Sequence, residues 1–160
     1  MDSRIGHGYD LHRLQPRGRL VLGGVVVSSD ISPIAHSDGD VVIHAIVDAL
    51  CGALGAGDIG QHFPDADPAY QNAASTIFLE KMKRELDAAG YHIVNVDVTI
   101  LAERPRLGTF KAQIAANLTR LLGAPVNVKA GTNEGVDAIG RGEAIAAHAV
   151  VLLAKSVTKP

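Results

Sequence analysis

The chain of 160 residues has no tryptophan and only three phenylalanines and three tyrosines. Aromatic platforms on which single-stranded bases could stack are therefore scarce. Cys51 is its one cysteine, so no intrachain disulfide can form, which fits a reducing compartment. Flanked by Leu50 and Leu54, Cys51 reads as an inert core thiol rather than a nucleophile. No apolar run approaches the roughly 18 residues of a membrane span. The opening residues, Met1 to His7, carry no signal-peptide core. Neither charge sign dominates: 15 Lys and Arg against 17 Asp and Glu leave a net −2. Such a balance gives no footprint for bulk nucleic acid. The expectation is a cytoplasmic protein with neither membrane nor nucleic acid as partner.

Apolar residues, at 47%, and glycine, at 17 positions, are abundant. The length predicts one domain, residues 1–160, with room for a core. Residues 4–12 read as a first strand. Two β-branched runs, 20–22 and 25–27, flank Gly23-Gly24 and read as a tight hairpin. Residues 40–54 form a mostly buried helix that Ser37 or Asp38 could cap. A loop follows to Asn72, then a charged helix over 73–89 stopped by Gly90. In 93–101, Val94, Val96, Val98 and Ile100 alternate with polar residues as in a half-buried strand. A helix over 109–122 and strands over 126–130 and 145–154 complete the chain. This order predicts an α/β layer architecture, a mixed β-sheet with helices packed on one face.

Asp10 and His12 are two apart, which on a strand points both to one face. His44 lies in the buried helix, one turn from Asp40 and Asp48, either of which could orient its ring. One carboxylate and two imidazoles with a position left open form the donor set of a catalytic zinc. His36-Ser37 precedes the helix, where backbone N–H groups suit a phosphate. Asp58-Ile59-Gly60 and Phe63-Pro64-Asp65-Ala66-Asp67 supply loop carboxylates. Gly131-Thr132-Asn133-Glu134 follows a strand and could hold a diphosphate and a second cation, though it is no Walker loop. Arg141, between Gly140 and Gly142, is a plausible anion contact.

Taken in order, the motifs Gly6-His7-Gly8-Tyr9-Asp10-Leu11-His12, His36-Ser37-Asp38-Gly39-Asp40 with His44, Gly57-Asp58-Ile59-Gly60 with Phe63-Pro64-Asp65, Asn95-Val96-Asp97, and Gly140-Arg141-Gly142-Glu143 resemble the 2-C-methyl-D-erythritol 2,4-cyclodiphosphate synthase family. The resemblance runs from about Arg4 to Lys155. It implies a homotrimeric lyase of the non-mevalonate isoprenoid route, with active sites between subunits. Its substrate would be 4-diphosphocytidyl-2-C-methyl-D-erythritol 2-phosphate, and its products the cyclic diphosphate and CMP. It also implies a zinc or manganese ion on Asp10, His12 and His44, and magnesium near Glu134. His36 and Thr132 would stabilise the transition state. Asp58 and Gly60 would meet the ribose, with Ile59 also at the substrate, and His36, Ser37 and the segment from Phe63 to Asp67, with Asp65, would cover the methylerythritol part. Ala102, Arg106, Leu107, Gly131, Thr132, Asn133 and Glu134 would hold the cytidine diphosphate. Arg106 stands where the family often has lysine, and His148 where glutamate is common. A metal-dependent phosphohydrolase and a non-catalytic trimeric binding protein are the alternatives.

Overall fold

Alternation decides which side of each strand is buried, and here it aligns across the sheet. The computed structural model describes residues 2–64 and 66–156. In chain order the elements are β1 (Ser3–Pro16), β2 (Leu20–Leu22), β3 (Val25–Ser28), β4 (Ile31–Pro33), α1 (Val41–Leu54), α2 (Ile59–His62), α3 (Thr76–Ala88), β5 (Tyr91–Leu101), α4 (Lys111–Leu122), β6 (Val126–Gly131), α5 (Asp137–Gly140) and β7 (Ala144–Lys155). A single 3-10 turn, Pro68–Tyr70, lies between α2 and α3. The main sheet has the order β4-β1-β7-β5-β6, while β2 and β3 form a separate hairpin. Strands β5 and β6 pair in parallel and the other described pairs are antiparallel, so the sheet is mixed, as expected.

Ile145, Ala147, Ala149, Val151 and Leu153 of β7 are fully buried, as are Val98 and Ile100 of β5. Helices α1, α3 and α4 cover this face and complete the core. On the opposite face Ile5, Tyr9, Leu11, Val150 and Leu152 remain exposed. Among the described residues, only the short α5 packs there, setting Ile139 against Ala144 and Ala146.

Gly6 and Gly8 belong to the covered face of β1. A Cβ on Gly6 would lie 1.9 Å from the Ala49 carbonyl oxygen, and one on Gly8 1.9 Å from that of Ala45. The backbone of α1 therefore rests directly on the backbone of β1, which no larger residue permits.

Several boundaries differ from the sequence reading. β1 runs on to Pro16, where it pairs with β4, a three-residue strand too short to show a pattern. A bulge between Ile93 and Asn95 shifts the alternation of β5, so Ile93 is buried and Val94 is exposed. The loop over 55–72 contains α2 and the 3-10 turn. Neither Ser37 nor Asp38 caps α1. Asp40 does, its side chain accepting from Val42 N and Ile43 N at 3.1 Å each. It also accepts from Gly23 N at 2.9 Å and Gly24 N at 2.7 Å, tying the β2–β3 turn to the helix start. Burial, aided by the nearby Asp38 charge, pushes the Asp40 carboxyl up to about 6 even against these donors.

Gly8→Ala tests the β1–α1 contact. The added methyl must displace α1, at an expected cost of about 3 kcal/mol. That corresponds to a midpoint roughly 6–12 °C lower in thermal unfolding. A wild-type melting curve would contradict the close packing.

Candidate metal centre

The close packing brings the first turns of α1 over the middle of β1. Asp10 and His12 continue the covered face beyond Gly8, and His44 points down to meet them. His44 Nδ1 and His12 Nε2 each lie 3.0 Å from Asp10 Oδ2 and 3.2 Å from one another. Ligand atoms held about 2.0–2.2 Å from one zinc ion are spaced by roughly 3–3.5 Å, so the three donors fit such an ion without rearrangement. The group could thus hold a metal ion, as the spacing in sequence predicts. Burial pushes the Asp10 carboxyl up, but the hydrogen bonds and charges of His12 and His44 outweigh it. The net effect holds Asp10 well below the ordinary carboxylate range, so it stays an anionic donor.

The three residues form one wall of a cavity of ≈ 300 Å³. His36, Ser37, Ile59, Gly60 and Phe63, all expected at the site, line it as well. The segment after β4 carries His36 and Ser37 to the rim, where His36 Nε2 lies 3.3 Å from the Asp67 carbonyl oxygen. Asp67 itself caps the 3-10 turn by accepting from Ala69 N. Asp58 caps α2 by accepting from Gln61 N at 3.0 Å. Asp65 lies outside the described residues.

The expected orienting role of Asp40 or Asp48 is not what the structure shows. Asp40 is spent on backbone N–H groups, and Asp48 accepts from Ile59 N at 3.2 Å, anchoring α2 to α1. The far nitrogen of His44, Nε2, instead lies 2.8 Å from Ser75 Oγ and 3.2 Å from Ser37 Oγ. Ser75, fully buried, was absent from the sequence reading. So were Tyr70 and Phe78, which pack with Phe63 behind His44. Three of the chain's six Phe and Tyr residues thus gather at this cavity.

A second cleft of ≈ 380 Å³ is lined by Ala102, Arg106, Leu107, Gly131 and Thr132, together with Glu103 and Lys111. Asn133 and Glu134 adjoin it on the turn after β6. Thr132 Oγ1 donates to Glu134 Oε1 at 3.2 Å and accepts from Glu134 N at 3.3 Å. Glu134 sits at φ 51°, a left-handed conformation uncommon for a residue with a side chain. Arg141 lines neither cavity; it makes a two-bond pair with Glu143 at 3.0 and 3.2 Å on the surface. Register places Leu11, Ala146, Leu101 and Gly131 in one row across β1, β7, β5 and β6. The two clefts therefore open at the same end of the sheet, roughly 14 Å apart across three strand spacings.

Fold and site together define an α/β protein with a two-histidine, one-carboxylate group that could hold a metal ion and a second cleft at the same end of the sheet. Among the described residues, no helix is long and apolar enough to cross a membrane. The chain belongs to the YgbB family, whose model matches residues 3–154. It is 52% identical over 155 residues to the chloroplastic 2-C-methyl-D-erythritol 2,4-cyclodiphosphate synthase of Arabidopsis thaliana, covering 95% of this chain and 67% of that protein. An IspF of Plasmodium falciparum, solved as a CDP complex, superposes with a TM-score of 0.85 at 34% identity, over 97% of both chains. The bifunctional IspDF of Campylobacter jejuni superposes with a TM-score of 0.92 at 35% identity, over 98% of this chain. The chain spans 43% of that larger protein's length.

His44→Ala should weaken zinc binding by about 100-fold or more, because one of three ligands is gone. Competition with a chromophoric chelator measures this, with circular dichroism checking that the fold persists. Affinity within a few-fold of the parent chain would rule out the assignment of His44 as a ligand.

Proposed function

We propose that this chain is a 2-C-methyl-D-erythritol 2,4-cyclodiphosphate synthase, a phosphorus–oxygen lyase of isoprenoid biosynthesis. It closes 4-diphosphocytidyl-2-C-methyl-D-erythritol 2-phosphate into the cyclic diphosphate and releases CMP. The observation that carries this reading is the meeting of Asp10, His12 and His44 on the wall of a cavity that His36 and Ser37 also line. The likeness to synthases of that name, and to an IspF solved with CDP, supports it.

Asp10, His12 and His44 would hold zinc or manganese, and Glu134 would help hold magnesium with the diphosphate. Bound divalent ions supply Lewis-acid charge that offsets repulsion among phosphate oxygens and stabilises the leaving phosphate. The 2-phosphate is already tethered to the diphosphate it attacks, so no protein nucleophile is required. The chain's own task is to fold the substrate so that an oxygen lies in line with the β-phosphorus. Good orientation of this kind lowers a barrier by up to roughly 7–11 kcal/mol. His36 and Thr132 donate hydrogen bonds to phosphate oxygens as charge moves onto them. Phe63 and Ile59 provide an apolar wall for the methylerythritol part, with Ser37 and Asp67 at its hydroxyl groups; Asp65 is assigned to the same part on family resemblance alone. Asp58 and Gly60 meet the ribose. The backbone around Ala102, Leu107 and Gly131–Asn133 receives the cytosine, and Arg106 sits beside the diphosphate.

The metal wall and the cytidine cleft lie three strands apart in one chain. We therefore place each complete site between neighbouring subunits of a homotrimer, each subunit acting as a single domain. The exposed apolar face carrying Ile5, Tyr9, Leu11, Val150 and Leu152 suits such an assembly. Arg141 lies beside that face, where an anion would share its guanidinium with Glu143.

Phosphorus NMR of the diphosphocytidyl substrate incubated with the protein tests the reading. A cyclic diphosphate and CMP should appear and should be suppressed by chelator. Linear phosphate products alone would identify a hydrolase and overturn it. Millimolar CMP should also raise the unfolding midpoint by mass action on the native state; an unchanged midpoint counts against the cytidine cleft.

A further inference from the structure

Ser75 stands at the N-cap position of α3 yet makes no side-chain cap bond there. Its hydroxyl is committed elsewhere. Ser75 Oγ is in short contact with Asp38 Oδ1, and Ser75 N donates to Asp38 Oδ2 at 3.0 Å. A carboxylate only accepts, so the Ser75 hydroxyl proton must point to Asp38. Ser75 Oγ then has only lone pairs to offer His44 Nε2, 2.8 Å away. With an ion held by Asp10, His12 and His44, a neutral His44 ring would therefore carry its proton on Nε2 and give its Nδ1 lone pair, beside Asp10 and His12, to that ion. The opposite tautomer would set lone pair against lone pair at Ser75. It would also put a proton on Nδ1, which suits a hydrogen bond to Asp10 Oδ2 in the absence of an ion but closes that nitrogen to a metal.

We propose that Asp38 and Ser75 are positioning residues that hold His44 in the Nε2–H tautomer and aim Nδ1 at the metal. The inference rests on the metal reading of Asp10, His12 and His44, and adds two residues that line neither cleft. The relay has the logic of the carboxylate–histidine–metal arrangement, with a serine hydroxyl interposed. Ser75 is fully buried, so water cannot replace its hydroxyl without rearrangement. Ser37 Oγ, also near Nε2, accepts from Gly39 N and, among the described residues, has no carboxylate to fix its proton.

The test uses the zinc-loaded full chain. Long-range proton–nitrogen NMR should show His44 protonated at Nε2 and ligated through Nδ1. Ser75→Ala should weaken zinc binding by about 10–100-fold, the usual cost of losing such a support. Asp38→Asn keeps the side-chain volume but lets an amide donate to Ser75. It should shift the His44 nitrogen signals and weaken zinc binding while thermal unfolding stays cooperative. Ligation through Nε2 in the parent chain would overturn the inference. So would zinc affinities of both variants within a few-fold of the parent's. A parent chain that binds no zinc at these residues would overturn the metal reading itself, and the inference with it.

Discussion

The contact between the backbones of β1 and α1 is the constraint on which the rest of the structure depends. Gly6 and Gly8 leave no room for a side chain beneath the Ala49 and Ala45 carbonyl groups. The helix therefore lies closer to the strand than ordinary side-chain packing allows. Two residues further along the same face the glycines give way to Asp10 and His12. The space that opens there is filled by His44 from the same helix. Small residues thus set the height of α1 over the sheet, and that height determines whether three donors meet or miss.

Holding polar groups at the edge of a tight core has an electrostatic cost, and the structure meets it with fixed partners. Asp40, Ser75 and His44 are the buried polar residues among those described. Asp40 is surrounded by four backbone N–H donors from two elements, so it locks the helix start to the β2–β3 turn. Ser75 lies between Asp38 and His44. An unpartnered group in any of these places would cost about 1–3 kcal/mol. The opposite shifts of Asp10 and Asp40 follow from what surrounds each. Imidazoles favour the charged form of Asp10, while Asp40 is buried with another carboxylate nearby and dipoles as its only support.

Much of this was legible in the sequence, and the failures have physical causes. The two-residue spacing of Asp10 and His12 predicted a shared face because strand geometry is strictly periodic. The apolar run around His44 predicted a buried helix. The mixed sheet followed from the order of strands and helices. β4 and α2 were missed because three or four residues carry no readable period. Val94 was misplaced because a bulge shifts alternation without a local signature. The cap of α1 was assigned to Ser37 or Asp38 when Asp40 holds it, since several residues suited to capping precede this helix. Ser75 escaped notice because the helix expected over 73–89 took it in as an interior residue, and nothing local shows that its hydroxyl meets a residue 37 positions earlier. The roles expected of Thr132, Glu134 and the residues around Arg106 came from family resemblance, because small residues after a strand are compatible with many ligands.

If β1 and α1 together build one metal centre from two imidazoles and one carboxylate, X-ray absorption at the zinc edge of the metal-loaded protein will show it. One ion per chain is expected, with a shell of nitrogen and oxygen near 2.0–2.2 Å, the multiple scattering of two imidazoles and no sulfur. A sulfur shell, or scattering from fewer than two imidazoles, would contradict it.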